Sequence, residues 1–435
     1  MTLHFQSLSE WLAWQGDVHR GVVRLGLERV REVASRLDLL RPGVPVITVG
    51  GTNGKGSVVA MLESILLAAG HRVGAFTSPH ILDYTERVRI DGRPVAEAAL
   101  CEVFDAIESA RGEVALTIFE YAALAALWLF RRAKVDVVVL EVGLGGRLDA
   151  VNVIDADVAV VASIGIDHVQ YLGPDRESIG REKAGIFRRG RRAICGDRDP
   201  PQSLFEAARE TGADLVCIGR DFDARPHAAL WDWRGSHGGL EHLPRPALQG
   251  VHQYGNAACV LEALDALSSI LPVSREAIER GLRSVSLAGR FQHLRESPAV
   301  YVDVAHNPHA ARSLADQLRA EPCGGRTLAV FGALEDKDAA GMVDALDGLV
   351  DAWYLGAIEQ AGDGGRSGPL APLLARVAGR LAGRYRSFPT LADACRAALA
   401  DALPQDRIVA FGSFLTVAAA TRFFMPARSG GDAPV

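Results

Sequence analysis

The chain has 435 residues, 49% of them hydrophobic and 23% charged, with a formal net charge of -6. That length exceeds the range over which one hydrophobic core keeps growing, so two domains are expected, and the near-neutral balance without a long basic run excludes a general nucleic-acid binder. The longest apolar helical stretch, 121–130, falls well short of the ~18 residues a membrane span needs, and residues 1–7 lack the basic start and apolar centre of a signal peptide. Taken in chain order, β-branched apolar runs alternate with segments of helical period, the signature of βα units around a parallel sheet. Strands are predicted at 44–49, 72–76, 135–142, 158–163, 192–195 and 215–218. Residues 57–69 form a predicted helix, with Gly70 where a left-handed cap belongs. Short Trp- and Gly-containing pieces at 224–243 suggest a small β insertion. Helices at 254–269 and 274–284 lead to Ala288-Gly289-Arg290-Phe291, where a domain boundary is placed. A second α/β series follows, with strands at 300–304, 326–331, 352–355 and 407–411. The basic cluster Arg188-Arg189-Gly190-Arg191-Arg192 reads as a solvated helix-to-strand turn. The six cysteines are dispersed without metal spacing, as expected of free buried thiols in a reducing cytoplasm.

The strongest functional signal is Gly51-Thr52-Asn53-Gly54-Lys55-Gly56-Ser57, directly after the first predicted strand. Glycines let backbone N–H groups turn toward one anion, the following helix offers its positive end, and Lys55 adds a full charge. The spacing departs from the standard Walker pattern, because Gly56 separates the lysine from the hydroxyl of Ser57. The expected fold class is therefore α/β: a P-loop-type parallel-sheet ATPase domain over 1–287, then a smaller Rossmann-like α/β domain over 288–425. Residues 426–435 are expected to be a disordered tail.

Other candidates stand at predicted strand ends, where open parallel sheets bind ligands. Glu141 ends an apolar strand ahead of Gly143-Leu144-Gly145-Gly146-Arg147-Leu148-Asp149, and reads either as a metal ligand or as a capping carboxylate. Asp149 holds Arg147 or anchors the loop. Ser78 and His168 occupy two further strand ends and complete a mixed oxygen and nitrogen set that Mg2+ tolerates when waters fill the remaining positions. Lys183 reads from position alone as an ordinary helix lysine. In the second domain Asp303-Val304-Ala305-His306-Asn307-Pro308 brings a carboxylate and an imidazole to a strand end, which suits either a bound substrate or a capped helix start.

Together the glycine loop, Thr77-Ser78-Pro79-His80, the run from Glu141 to Ala150 and the run from Asp303 to Pro308 resemble the folylpolyglutamate synthase branch of the Mur ligase family, and within it the bacterial bifunctional group that also carries dihydrofolate synthase activity. The resemblance runs from about residue 25 to 413. It implies a cytoplasmic, monomeric ligase of folate biosynthesis and one-carbon metabolism. ATP would activate the carboxylate of dihydropteroate or a reduced folate as an acyl phosphate, which L-glutamate then displaces. It further implies that Gly54, Lys55, Gly56 and Ser57 hold the ATP phosphates, with Asn256, Arg290 and Asp303 as further ATP contacts. Ser78, Glu141, His168 and Lys183 would hold Mg2+, the last as a carbamate. Lys55, Lys183, His168 and Glu141 would carry the chemistry. The pterin would lie against Arg24, Leu25, Gly26 and Leu27, against Thr117, Ile118, Phe119 and Glu120, and against Leu148, Asp149 and Ala150. His306 and Ser413 would face the glutamate. Val151 departs from the family's usual threonine and Ala288 from its usual proline. Polyglutamylation alone, or a nucleotide-binding regulatory module that has lost turnover, are the alternatives.

Overall fold

Strands β1 (Val46–Gly50), β2 (Val73–Phe76), β3 (Val88–Ile90), β4 (Arg93–Pro94), β5 (Val137–Glu141), β6 (Val158–Val161), β7 (Arg192–Cys195) and β8 (Asp214–Cys217) build an eight-stranded sheet in the order β4-β3-β2-β5-β1-β6-β7-β8. The structure, a computed structural model, describes residues 5, 7–19, 24–359 and 367–425. All pairs from β2 to β8 are parallel, while β3 and β4 join antiparallel at one edge. Central strands bury both faces, so their side chains alternate between two cores rather than between core and water. Val138 and Leu140 of β5 enter one core and Val137 and Val139 the other.

The helices of this unit are α1 (Leu8–His19), α2 (Glu28–Arg36), α3 (Lys55–Ala68), α4 (Glu97–Arg111), α5 (Ile118–Ala133), α6 (Val169–Leu172), α7 (Arg176–Ala184), α8 (Gln202–Thr211), α9 (His252–Ala266) and α10 (Arg275–Ser284). One face of the sheet is covered by the apolar sides of α1, α2, α4, α5, α7 and α8, the other by α3, α9 and α10. The predicted β insertion is a separate antiparallel sheet of β9 (Asp223–Pro226), β10 (Leu230–Arg234) and β11 (Gly239–Pro244), with Trp231 and Trp233 buried beneath it. No helix of the described residues is long and apolar enough to cross a membrane.

The chain divides into two compact units that part between Leu287 and Ala288. The second holds β12 (Gln292–Glu296), β13 (Ala299–Val302), β14 (Thr327–Phe331), β15 (Ala352–Gly356), β16 (Tyr385–Phe388) and β17 (Arg407–Phe411), in the order β12-β13-β17-β14-β15-β16. Its helices are α11 (Pro308–Ala320), α12 (Ala339–Ala345), α13 (Leu370–Leu381), α14 (Leu391–Asp401) and α15 (Phe414–Phe424).

Four strands, β3, β4, β12 and β16, went unread in the sequence. All are short edge or near-edge elements with polar residues, so the neighbouring strand rather than an apolar run fixes them. The basic turn at 188–192 is not simply solvated: Arg188 donates to Asn152 and pairs with Asp155, and Arg192 pairs with Asp214. All six cysteines are free, but Cys101 and Cys323 are only half-buried. The tail expected at 426–435 lies outside the described residues.

Candidate active site

The glycine loop joins the central strand β1 to α3, and Gly54 stands at the helix start with a φ of 89°. A Cβ at Gly54 would lie 2.7 Å from Asn256 Oδ1, so both backbone sign and space require glycine. No side chain caps α3, which leaves its first-turn N–H groups to the loop and to any anion brought there. The segment after β6 latches the loop from outside. Thr52 N donates to Ser163 O at 2.7 Å, Thr52 Oγ1 exchanges hydrogen bonds with Gly165 at 3.0 and 2.9 Å, and Asn53 N donates to Ser163 Oγ at 3.1 Å. The Lys55 ammonium folds back on its own loop, donating to Gly51 O at 3.1 Å and Thr52 O at 3.2 Å. From the other side α9 supplies Gln253, whose Nε2 donates to Ser57 Oγ at 3.3 Å and whose Oε1 accepts from Asn256 Nδ2 at 2.9 Å.

Parallel pairing of Val49 with Glu141 sets the Glu141 carboxylate, 5% exposed, at the tip of the strand beside the loop. Its Oε2 accepts from Ser78 N at 3.1 Å, which joins the tips of β2 and β5. His168 caps α6 in the left-handed region, φ 52°, with its N–H on Asp167 Oδ1 at 2.8 Å. Lys183 is not an ordinary helix lysine; it is 3% exposed, because α7 packs directly on the loop after β5. A Cβ at Gly146 would sit 2.8 Å from Glu182 O and 2.9 Å from Lys183 O, so only glycine permits that approach. Arg147 completes the interlock through Glu182, its N–H on the carbonyl and Nη2 on the carboxylate, both at 2.8 Å.

Burial, then the positive charge of Lys55, lowers the Lys183 pKa to about 7, while Asp167 and Asp149 pull it upward. The same neighbourhood raises Asp149 to about 7, chiefly by burial, against the N–H groups of Leu144, Val151 and Gly143 and the charge of Lys55. Asp149 thus anchors its loop, accepting from Leu144 N at 2.8 Å and Val151 N at 3.1 Å, and leaves Arg147 to Glu182. Among the described residues no group of three or more His, Cys, Asp or Glu side chains converges as a metal cage.

The three segments assigned to the pterin come together. Gly26 N donates to Leu148 O at 3.2 Å, and Arg29 Nη2 reaches Arg24 O at 2.8 Å and Glu120 Oε1 at 2.9 Å. Thr117 and Glu120 form the capping box of α5, each side chain bonded to the other's N–H. The Phe119 ring covers Gly143 and lies 5.7 Å from Phe76. Leu25, Leu27 and Ile118 are half-buried beside these contacts, and Ala150 is buried. Val151 is buried in the core, so the family's missing hydroxyl is absorbed by packing. Ala288 is exposed.

In the second unit, Asp303 follows β13 and Ser413 follows the adjacent parallel strand β17. Asp303 is buried and accepts from Phe291 N and Ala305 N, both at 2.8 Å. Burial raises its pKa, and Arg290 pulls it down. The Phe414 ring lies 5.7 Å from the Arg290 guanidinium and 5.8 Å from the His306 ring, whose Nδ1 is 2.8 Å from Val304 O. Ser413 caps α15, accepting from Thr416 N at 3.0 Å. Sequence reading passed over Gln253, Arg29 and Phe414. Gln253 and Asn256 do stand three apart on a helix, a spacing that places two side chains on one face; the partners of Arg29 and Phe414 give no such local sign.

The Mur ligase middle domain matches residues 49–261, and the Mur ligase glutamate ligase domain matches 289–414. The chain is 49% identical over 424 residues to the dihydrofolate synthase/folylpolyglutamate synthase of Escherichia coli (strain K12), a match that covers 98% of this chain and 97% of that one. The solved structure of E. coli FolC in complex with DHPP and ADP superposes with a TM-score of 0.90 at 48% identity, covering 97% and 98% of the two chains. A bifunctional folylpolyglutamate synthase/dihydrofolate synthase with Mn, AMPPNP and L-glutamate bound gives a TM-score of 0.88 at 46% identity, covering 97% and 99%. With both domains matched in order and near-complete coverage at this identity, the chain belongs to the dihydrofolate synthase/folylpolyglutamate synthase branch of the Mur ligase family.

Proposed function

We propose that this chain is an ATP-dependent ligase that joins L-glutamate to dihydropteroate to give dihydrofolate, and then adds further glutamates to reduced folates. The observation that carries the reading is the uncapped start of α3, with Lys55 above it and the buried Glu141 carboxylate at the next strand tip. First-turn N–H groups and the Lys55 ammonium suit a triphosphate. The Glu141 carboxylate at the neighbouring strand tip suits a hard dication that keeps waters and phosphate oxygens. Ser78, Glu141 and His168 would hold it, and when bound Mg2+ offsets charge on the transferring phosphoryl group. Burial lowers the Lys183 pKa to about 7, which raises the share of neutral amine that can attack carbon dioxide. Carbamylation would turn this buried cation into an anion beside the dication site.

The chemistry then has two steps. A carboxylate oxygen of the acceptor attacks the γ-phosphorus, the bond to the β-phosphate oxygen breaks, and ADP leaves. The glutamate amine next attacks the acyl carbon, phosphate leaves with the bonding pair, and the amine proton is lost. Gly54, Gly56 and Ser57 hold and orient the phosphates, and Asn256, Arg290 and Asp303 are assigned to the rest of ATP. The pterin is assigned to the segments at 24–27, 117–120 and 148–150, and the glutamate to His306 and Ser413. Free thiols and the lack of a membrane-crossing helix among the described residues support a cytoplasmic enzyme, which we take to act as a monomer.

Purified protein given dihydropteroate, glutamate and MgATP is expected to release phosphate and form dihydrofolate. No product at saturating substrates overturns the reading. A tetrahydrofolate acceptor in a parallel assay separates the two activities, and product from tetrahydrofolate alone leaves only polyglutamylation.

A further inference from the structure

We infer that Gln253 is a positioning residue that sets the hydrogen-bonding direction of Ser57 and Asn256 at the open start of α3; the inference rests on the nucleotide reading of that loop. Gln253 is 1% exposed at the second position of α9, in a helix buried mostly among apolar side chains. A buried carboxamide in such surroundings is tolerated only when its polar atoms are paired. Both ends are. Nε2 donates to Ser57 Oγ at 3.3 Å, and Oε1 accepts from Asn256 Nδ2 at 2.9 Å.

Each bond fixes a polarity. Because Ser57 Oγ accepts from Gln253, its own hydrogen is directed elsewhere, and it serves as a donor at the helix start where phosphate oxygens need donors. One N–H of Asn256 Nδ2 goes to Gln253, and this orients the carboxamide so that its Oδ1 is the atom turned toward Gly54, 2.7 Å from where a Cβ would stand. Asn256 therefore turns an acceptor, not a donor, toward the loop. One carboxamide that is assigned no ligand contact thus sorts the donor from the acceptor on either side of the loop. Reversing it would reverse both.

The test is Mg2+–AMPPNP titration calorimetry on the wild type, Gln253→Met, the near-isosteric Gln253→Glu, Ser57→Ala and the Gln253→Met/Ser57→Ala double variant, with steady-state kinetics and a melting temperature for each. Gln253→Glu keeps an acceptor for Asn256 but turns Ser57 into a donor toward the glutamate, so it should bind nucleotide about tenfold more weakly. Its KM for ATP should rise while the KM for glutamate stays near wild type; the melting temperature is expected to fall, because a carboxylate replaces a 1% exposed carboxamide, so affinity is measured on the folded variant. In the Ser57→Ala background the loss from Gln253→Met should shrink markedly, because Ser57 is one of the two groups through which Gln253 acts. Should Gln253→Met fail to fold, Gln253→Glu carries the test. Wild-type affinity in Gln253→Glu, an equal loss for every substrate, or full multiplication of the two losses overturns the role of Gln253 alone. A wild-type protein that takes up no nucleotide overturns the reading of the loop itself.

Discussion

Two helices begin at strand ends in comparable places, and they begin differently. After β1, α3 starts at Gly54 with no side-chain cap, and after β13, α11 starts at Asn307, whose Oδ1 accepts from Ala310 N at 2.9 Å, with Pro308 in the first turn. Capping by Asn, and a proline with no N–H to satisfy, close the second helix by its own residues. The first is left unclosed, and charged groups with displaced pKa values, Lys183 and Asp149, crowd around it. An open helix start forgoes the stability of a cap and keeps donors for a ligand, whereas a closed one spends them on the fold.

The largest break in this contrast should come from Lys183→Ala. If the buried amine serves the open end, ligation should fall about 10³-fold or more, the scale on which preorganised charge acts, while circular dichroism still shows a folded protein. Wild-type turnover would remove Lys183 from the site. Lys55→Ala removes the loop's own charge and should weaken MgATP binding by about 100-fold; calorimetry that shows unchanged affinity would mean that the open start does not receive the triphosphate.

A third effect is read in pH. The Lys183 pKa is near 7 in the folded chain against 10.5 in the unfolded one, so the unfolded chain binds the extra proton between those values, and stability should climb as pH rises through that window. Asp149, raised from 3.8 to about 7, acts oppositely, and stability should fall as pH rises between those two values. Urea midpoints for nucleotide-free, carbon-dioxide-free protein between pH 7 and 10 test the first. Lys183→Met should flatten the rise, and an unchanged slope would exclude Lys183 as its source.

The central strands were legible because a strand buried on both faces must be written as a β-branched run, as at Val137 to Leu140. The glycine loop was legible because its backbone conformation admits almost nothing but glycine. Lys183 was not: it follows the charged pair Arg181 and Glu182 in sequence, and its burial comes from a loop 37 positions earlier that only Gly146 lets close. Nor was the pairing of Arg29 with Glu120, because a contact between residues 91 apart leaves no local period. Local order is written locally, whereas burial of a polar group is decided by distant chain.

The smallest expected effect sharpens the contrast most cleanly. Asn307→Ala removes the cap that closes α11 and should cost about 1 kcal/mol of stability, with an unfolding midpoint lowered accordingly. The buried Asn307 side chain also borders His306, so the glutamate KM is a second readout, whereas the α3 loop has its own latch on Ser163 and Gly165 and does not depend on the cap. MgATP affinity measured on the folded variant should therefore remain near wild type. A drop in nucleotide affinity as large as that of Lys55→Ala would mean that Asn307 does more than cap, and that the closed helix, too, serves a ligand.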